Sequence, residues 1–428
     1  MPFDSPAFDS IAFHNYVQHY SASDVGWQGF TRGTLFRLLG LPFSVVLGAE
    51  YHHSRLYTDN GNYANETLGP PGTPATYQRN NYAVFAESRI PILGDTTDPS
   101  QPMTLQATVA GRFDHFSDFG STTNPQYGLQ WRPISGFLVK ATYGDTFTAP
   151  PLYDLYSPVV RNYPSFLQDP AHNNQFVPVT ILTGGNPNLR PETGSTHTFG
   201  LTYGGDRAAI PLQATVAQWR IEENGNIQQL FAQTLVNDPA IEPGTVVRNS
   251  SGALVLVNDT LANFGTIDVE GVDFSLKYNY GSAFGTWTPT LAGTYTYRYQ
   301  LSLTPNSPAV SAVSQAQDTG TWAPRWKGAA SLGWTEGNLA ISTMARYFGS
   351  YADYDSARRI GDVWYFDLNG KYTWSRTALG AAFLEMGGVN IFNRLPQVSR
   401  YAFGEIGYDP AQADIRGRFL YVRVGDKF

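Results

Sequence analysis

Several stretches of the chain alternate apolar and polar residues with a period of two. In Val272–Tyr280 every second residue is apolar, and the residues between them are polar or charged: Asp273, Ser275, Lys277 and Asn279. Trp364–Trp374 and Leu105–Phe113 repeat the pattern. Successive side chains of a strand point to opposite faces, so this period predicts strands with one apolar and one polar face. No helical stripe of comparable regularity occurs, and the sequence predicts an all-β fold.

The apolar faces of these strands end in aromatic residues, at Tyr278, Tyr280, Trp364, Tyr372 and Trp374. The core of a soluble β-sandwich favours aliphatic side chains and gives no reason to place tyrosine and tryptophan at strand ends. A membrane wall does, because amphipathic rings prefer the level of the lipid headgroups. The pattern therefore favours a transmembrane sheet.

The links between the predicted strands alternate in length from Phe137 onward. The long links are Phe147–Thr193, Asn224–Phe264, Ser302–Pro324, Gly349–Gly361 and Asn393–Ile415, and the short ones are Gly204–Ile210, Gly281–Gly285, Glu336–Asn338 and Ser375–Ala378. This alternation places every long link at one edge of an up-and-down antiparallel sheet. Outer-membrane barrels have this arrangement, with short periplasmic turns and long external loops.

Six further strands are predicted before Phe137. They are predicted near Ile11–Tyr20, Trp27–Leu38, Phe43–Tyr57, Tyr77–Ile90, Met103–His115 and Pro125–Arg132. The total is about 16 strands, each long enough to cross a bilayer. The sequence thus predicts one antiparallel, up-and-down transmembrane β-barrel domain over residues 1–428.

Composition agrees with a membrane wall. Charged residues make up 15% of the 428 residues and aromatic residues 14%. No run of about 18 uncharged apolar residues occurs, which excludes a membrane-spanning helix. The net charge is −7 without a lysine- or arginine-rich block, so a nucleic-acid partner is not expected. The absence of cysteine excludes disulfides and thiolate metal sites.

The titratable residues form no catalytic or metal-binding pattern. His52 and His53 are adjacent, so on a strand they point to opposite faces and cannot share a metal ion. His115, His172 and His197 lie on different predicted elements without ligand spacing. No serine stands in a nucleophile elbow. The sequence therefore predicts a protein that is not an enzyme and has no metal site and no cofactor.

Two segments carry a family resemblance. "YGDTFTAPPLYDLY" (Tyr143–Tyr156) is a strand ending in an Ala-Pro corner, and "GGNPNLRPETGSTHTFGLTY" (Gly184–Tyr203) leads into the next strand. The pair resembles TonB-dependent outer-membrane receptors, in which a strand ending in Phe-x-Ala-Pro leads through an external loop to Gly-Asn-Pro-x-Leu-x-Pro-Glu. Other segments look like the flanking strands of that family: "GRFDHF", "NPQYGLQWRP", "VEGVDFSLKY", "NIFNRLP" and "GYDP…IRGRFLYVRVGDKF". The matching motif residues are Ala149, Pro150, Asn186, Pro187, Leu189, Pro191 and Glu192.

The chemistry of the second segment indicates a structural role. Pro187 and Pro191 fix φ and remove two hydrogen-bond donors, so this segment cannot join a sheet. Gly185 and Asn186 supply turn geometry. Glu192 can accept hydrogen bonds from backbone N–H groups nearby. We expect a rigid corner where a long external loop re-enters the wall.

The resemblance implies a function. Such receptors carry scarce, bulky nutrients (ferric siderophores, vitamins or oligosaccharides) across the outer membrane of Gram-negative bacteria, with energy delivered by TonB. They have about 22 strands and a plugged lumen, whereas this sequence offers about 16 strands, no plug and no signal peptide. We therefore expect the C-terminal portion of a receptor, which depends on a missing N-terminal plug to contact TonB. The alternatives are a passive porin-like channel and a secreted all-β glycan-binding protein.

Two further predictions concern individual residues. The link Phe147–Thr193 is the longest, and aromatic residues with a polar tip suit the capture of an amphipathic external ligand. The candidates for this role are Tyr153, Tyr156, Arg161, Tyr163, Phe166 and His172. At the other end of the chain, Leu420, Val422, Val424 and Phe428 share the lipid-side phase, which Asp426 interrupts. A terminal aromatic such as Phe428 resembles the signal that the outer-membrane assembly machinery reads.

Overall fold

A computed structural model describes most of the chain. The described residues are 19–59, 74–97, 103–204, 210–303, 307–316, 322–353, 358–377, 380–399, 407–409, 412–413 and 415–427. The strand predicted at Ile11–Tyr20 lies outside them except for its last two residues, which begin the first observed strand. Phe428 also lies outside them, so its predicted position on the lipid-side phase stays a prediction.

The described residues are mostly strands. The strands are β1 (His19–Leu38), β2 (Leu41–Asp59), β3 (Ala75–Leu93), β4 (Leu105–Phe116), β5 (Gly120–Trp131), β6 (Phe137–Thr148), β7 (Val160–Asp169), β8 (Gln175–Thr183), β9 (Glu192–Tyr203), β10 (Leu212–Gln228), β11 (Val246–Arg248), β12 (Leu254–Asn258), β13 (Ala262–Tyr278), β14 (Tyr280–Ser282), β15 (Gly285–Ser302), β16 (Val310–Ser311), β17 (Trp326–Glu336), β18 (Leu339–Phe348), β19 (Tyr351–Ala352), β20 (Arg359–Ile360), β21 (Val363–Thr377), β22 (Gly380–Val389) and β23 (Phe419–Lys427). The helices are α1 (Leu152–Tyr156), α2 (Ala232–Asn237) and a 3₁₀ turn (Pro170–His172). Neither α-helix of the described chain is long and apolar enough to cross a membrane.

One sheet of 17 strands forms the body of the molecule. Its long strands pair antiparallel in chain order, β1 to β6, then β9, β10, β13, β15, β17, β18, β21, β22 and β23. The described chain thus has 15 long strands, against about 16 predicted, the first of which lies mostly outside the described residues. Among the described strands, β1 pairs only with β2 and β23 only with β22. The predicted all-β, up-and-down, partial barrel is confirmed.

The register confirms the predicted division into two faces. Leu276 on β13 stands opposite Ala214 and Leu291, and Phe274 on the same strand stands opposite Val216 and Gly293. Directly paired residues of antiparallel strands share a face. The apolar phases of neighbouring strands therefore join into one continuous apolar face.

Aromatic residues bound this apolar face at two levels. Tyr295 pairs with Trp326, and Trp287 pairs with Trp334 on the same two strands, eight residues away by numbering (295 − 287 and 334 − 326). Eight residues span roughly 27 Å along a strand, or about 20 Å in height at the usual tilt. This height approaches the apolar band of about 25 Å in outer-membrane barrels.

The opposite face carries ion pairs, one within a strand and others between strands one or two positions apart in the sheet. Arg112 lies 2.6 Å from Glu50 and 2.9 Å from Asp114. Arg346 pairs with Asp367 at 3.0 Å. Opposite charges on one face of a sheet contribute roughly 0.2–1 kcal/mol per pair and disfavour slipped registers.

Glycine faces an aromatic ring at several cross-strand positions. The directly opposed pairs are Gly48 with Phe85, Gly271 with Trp219, Gly387 with Tyr421 and Gly425 with Phe383. A methyl group added at any of these glycines would overlap the ring opposite. In each pair the aromatic ring lies over the backbone of the opposite glycine, so these pairs contribute to the register between the two strands.

The links follow the predicted alternation. The strands β17 and β18 are joined by two residues and β9 and β10 by a short segment, while β6 and β9 are joined by 43 residues (149–191) that contain two further strands. Two links before Phe137, where the predicted alternation begins, do not follow it: β4 and β5 are joined by only three residues, 117–119, at the edge that carries the long links, and β3 and β4 by 11 residues, 94–104, at the other edge. The long links therefore gather at one edge of the sheet.

Candidate functional site

The two longest links fold together into one packed body, which we call the loop module (residues 149–191 and 229–261). Its sheet has the order β11-β12-β8-β7, with β12 parallel to β8 and the other pairs antiparallel. Helix α2 packs against β7 and β12. The core consists of Leu167, Val179, Leu230, Ala232, Leu235, Val236, Leu254 and Val257 of the module, together with Phe264 of β13. Because both links supply this core, each stabilises the other.

A buried ion pair joins the two halves of the loop module. Asp169, at the end of β7, is completely buried and accepts hydrogen bonds from both terminal nitrogens of Arg248 on β11. The Nδ1 of His172 lies 2.7 Å from the same carboxylate, and the backbone N–H of Ala171 donates to it at 3.1 Å. The Arg248 guanidinium holds the pKa of Asp169 well below its usual range. His172, a predicted ligand residue, thus lies beside this ion pair.

The Ala-Pro and Gly-Asn-Pro segments of the family motif meet in the structure. Pro150 is fully buried, and helix α1 begins two residues later. The N–H of Asn186 donates to the carbonyl of Asp154, and the N–H of Gly185 donates to the carbonyl of Ser157. A side chain at position 185 would lie only 2.8 Å from the Ser157 nitrogen. Glycine is required there because the two backbones are in contact.

The rest of the corner is tied to the second long link. The Nδ2 of Asn186 donates to the carbonyl of Leu261, and the N–H of Arg190 donates to the Oδ1 of Asn263, at 2.9 and 2.8 Å. Glu192 accepts a hydrogen bond of 2.6 Å from the N–H of Ile227. Of the other motif residues, Leu189 is buried, whereas Pro187 is exposed. These contacts support a structural role for the motif.

The predicted ligand residues fall into two groups. On α1, the ring of Tyr156 stacks on Tyr77 of β3 at 4.2 Å, and Tyr153 meets the edge of Tyr20 of β1 at 5.5 Å. The second group lies on β7 and its turn, with exposed side chains: Arg161, Tyr163, Phe166 and His172. The structure does not bring the two groups into one pocket.

A pocket of about 600 Å³ opens in the loop module between the β7–β8 hairpin and the residues that begin α2. Its lining is Asn162, Ser165, Leu167, Ile181, Thr183, Gln229, Leu230, Phe231, Ala232, Gln233 and Asp259. None of these was predicted from the sequence. The sequence feature that could have indicated this pocket is the acidic residue Asp259, which directly follows the short apolar strand β12.

A second cluster forms from the later long links. Its buried residues are Ala312, Ala316, Trp322, Tyr351 and Ile360. The hydroxyl of Ser399 donates to the carboxylate of Asp353 at 2.6 Å, and both residues are buried. Within the described ranges, no group of three or more His, Cys, Asp or Glu side chains is placed to hold a metal ion.

Solved structures share this architecture. The ferric enterobactin receptor of Pseudomonas aeruginosa in complex with enterobactin superimposes with a TM-score of 0.69 at 18% identity, over 95% of this chain and 54% of that one. The siderophore receptor PirA of Acinetobacter baumannii gives 0.67 at 15% identity, over 95% and 55%. The RagAB peptide transporter gives 0.54 at 13% identity, over 87% and 52%. The chain spans about half the length of these proteins.

The sequence itself carries the family assignment. No curated protein sequence matches the chain. The family model described as TonB dependent receptor-like, beta-barrel, matches residues 3–393, which include most of the wall and all of the loop module. With this match and the shared fold, the chain belongs to the TonB-dependent receptor-like β-barrel family.

Proposed function

We propose that this chain forms the wall and the external loops of an outer-membrane receptor that takes up a scarce nutrient with energy from TonB. The observation that carries the proposal is the loop module, in which the two longest links fold into one body at one edge of a membrane-type wall. A receptor needs a rigid surface that holds ligand.

The architecture of the family indicates how the wall is oriented in the membrane. The apolar face with its two aromatic levels contacts lipid in the outer membrane of a Gram-negative bacterium, and the face with the ion pairs lines the lumen. The edge with the long links lies outside the cell. The outer-membrane assembly machinery would insert the wall, and no nucleic acid takes part.

In a receptor of this kind, the part that this chain does not span supplies the contact with TonB. TonB acts on a plug inside the barrel, and we place that plug in the part of the receptor that the chain does not span. The chain would then be one portion of a larger barrel, and by itself it should bind ligand without transporting it.

The ligand class is a ferric siderophore, a vitamin, an oligosaccharide or a peptide. Two of the similar structures are siderophore receptors and one is a peptide transporter. Tyr153, Tyr156, Arg161, Tyr163 and His172 remain the proposed contacts of the ligand. Tyr163 is 49% exposed on β7 and is thus free to meet a ligand.

Uptake measurements test the proposal. Cells carrying the complete receptor are offered radiolabelled siderophores, cobalamin, oligosaccharides and peptides, with and without TonB. We expect uptake of one class that requires TonB and disappears when residues 149–191 are replaced by a short linker. Uptake that continues without TonB, together with open-channel conductance in planar bilayers, would instead establish the passive pore.

A further inference from the structure

The pocket of the loop module contains one charged side chain. Asp259 is 4% exposed, and its N–H donates to the carbonyl of Leu182 at 2.8 Å, which fixes its backbone. One carboxylate oxygen accepts a hydrogen bond of 3.2 Å from Gln229. The other oxygen, Oδ1, receives none from the described protein. A buried carboxylate oxygen without a donor is costly, and natural structures rarely leave one without a role.

The rest of the lining divides into apolar and amide surfaces. Leu167, Ile181, Leu230 and Phe231 supply the apolar part, and Gln229 and Gln233 are among the polar residues. Gln233 is held in place because its amide pairs with both backbone groups of Gln168 on β7, each at 2.8 Å. The volume of about 600 Å³ lies in the range of roughly 300–1,000 Å³ typical of small-molecule sites.

The charge of the pocket limits its ligand. No lysine, arginine or histidine of the described chain lines it, so an anionic group would meet the Asp259 carboxylate without compensation. A calcium ion takes about six to eight oxygen ligands and favours several carboxylates, whereas this pocket offers one. An organic cation fits better, because a single carboxylate satisfies an ammonium or amidinium group while the apolar walls cover its carbon skeleton.

We propose that this pocket binds an organic ligand with a cationic nitrogen group against Asp259 and its apolar body against Ile181, Leu230 and Phe231. The inference rests on the proposed function in one respect, since it names the chemistry of the captured nutrient or of a part of it. Binding itself requires neither TonB nor a plug.

The protonation of Asp259 gives the site a pH dependence. Burial raises the pKa of Asp259 to about 6, against the smaller opposing effect of the hydrogen bond from Gln229. Among the residues that the structure describes, Asp259 is the only titratable side chain that lines the pocket. A cation binds the ionised form, so affinity should rise with pH through about 6. For one such group, the ionised fraction changes about tenfold between pH 7 and pH 5.

Benzamidine and benzamide form a matched pair of probes, because they have the same shape and only benzamidine is charged. Binding to the full chain in amphipol is measured by ligand-observed NMR at pH 7 and pH 5. We expect benzamidine to bind at least tenfold more tightly than benzamide at pH 7 and to weaken about tenfold at pH 5. Asp259→Asn should remove both differences. Asp238→Asn, at an exposed acid of the same module, should leave them unchanged.

The unmodified chain tests the inference even if Asp259→Asn fails to fold. Equal binding of the two probes, or benzamidine binding that does not change between pH 7 and pH 5, overturns it. A TonB-independent uptake result with benzamidine discrimination intact would overturn the proposed function and leave this site standing.

Discussion

The carboxylate of Asp169 and the guanidinium of Arg248 form two parallel hydrogen bonds, of 2.7 and 2.8 Å, across 79 residues of sequence. Bidentate pairs of this kind are the strongest that side chains form. Asp169 is completely buried and Arg248 only partly so. The pair therefore connects the first long link to the second inside the loop module.

Removing one partner should open this module. Arg248→Ala leaves the Asp169 carboxylate buried with only weaker donors, which costs about 3 kcal/mol or more. Hydrogen exchange measured by mass spectrometry should show lost protection in β7, β8 and β11, with the wall unchanged. Arg161→Ala, at an exposed position of β7, is the control and should change exchange little. Equal protection in both variants would show that the apolar core alone holds the module together.

The same pair predicts acid sensitivity. The pKa of Asp169 is lower in the folded protein than in the unfolded chain, so its stabilisation is complete above the unfolded value of about 4 and is lost as pH falls below it. Exchange rates in the module, corrected for intrinsic pH effects, should stay constant between pH 8 and pH 5 and rise below pH 4. In Arg248→Ala, the rise of the exchange rates below pH 4 should be smaller. A rise that is identical in both proteins would assign the acid sensitivity to other groups.

The membrane wall predicts different tolerance on its two faces. Leu368 lies on the apolar face of β21, four residues by numbering from both Trp364 and Tyr372, hence near the middle of the apolar band. Leu368→Arg should destabilise the inserted barrel by about 2–4 kcal/mol. Asn369 is a poor control because its amide donates to Glu385 and Tyr421.

Ser342 on β18 is the better control for this experiment. It is exposed and pairs with Asn369 on the polar face. Ser342→Arg should cost much less than Leu368→Arg when unfolding from lipid vesicles is followed by tryptophan fluorescence. Similar losses at both positions would contradict the assignment of the apolar face to lipid.

The corner of the first long link should depend on Glu192. Its carboxylate accepts from the N–H of Ile227, and Glu192→Ala leaves that donor without a partner at a cost of about 1–3 kcal/mol. Hydrogen exchange at Ile227 should accelerate accordingly. Arg190→Ala is the matched control, because Arg190 uses only its backbone to bind Asn263 and its side chain is exposed. Unchanged exchange at Ile227 in Glu192→Ala would show that the carboxylate does not stabilise the corner.

The pairs of glycine and aromatic residues give a test of strand packing. Gly48→Ala places a methyl group into the ring of Phe85 and should destabilise the wall by about 1–3 kcal/mol. Gly111→Ala on β4 meets nothing within 4 Å and should be close to neutral. The temperature at which heat-modifiable gel migration is lost reports both effects. A neutral Gly48→Ala would mean that the Phe85 ring can move aside.

The strands of the wall could be predicted from the sequence because the pattern that specifies each of them is local. A strand that separates lipid from lumen must alternate, and Leu368 and Asn369 show this without any knowledge of their neighbours. The aromatic residues at strand ends, such as Trp364 and Trp374, follow from the same constraint. At the beginning of the described chain, His19 and Tyr20, the last two residues of the strand predicted at Ile11–Tyr20, are the first residues of β1.

The loop module was not accessible in the same way. The sequence showed two long links, with turn residues and aromatics, but no sign that they fold as one body. The pairing of β8 with β12 is parallel and joins segments that the chain separates by strands β9, β10 and β11. A contact of this kind depends on the shared burial of residues such as Val179 and Val257, which no local pattern encodes.

The sequence alone thus determined the membrane wall, the edge at which the long links lie and the family to which the chain belongs. Each follows from periodicity, spacing or motif, which act over a few neighbouring residues. Only the tertiary structure decided which residues meet at the site: Asp169 with Arg248, Glu192 with Ile227, and Asp259 within an apolar pocket. Burial and hydrogen bonding between distant segments select these partners, because the chain must first close its two longest loops before either segment can bury its apolar side chains.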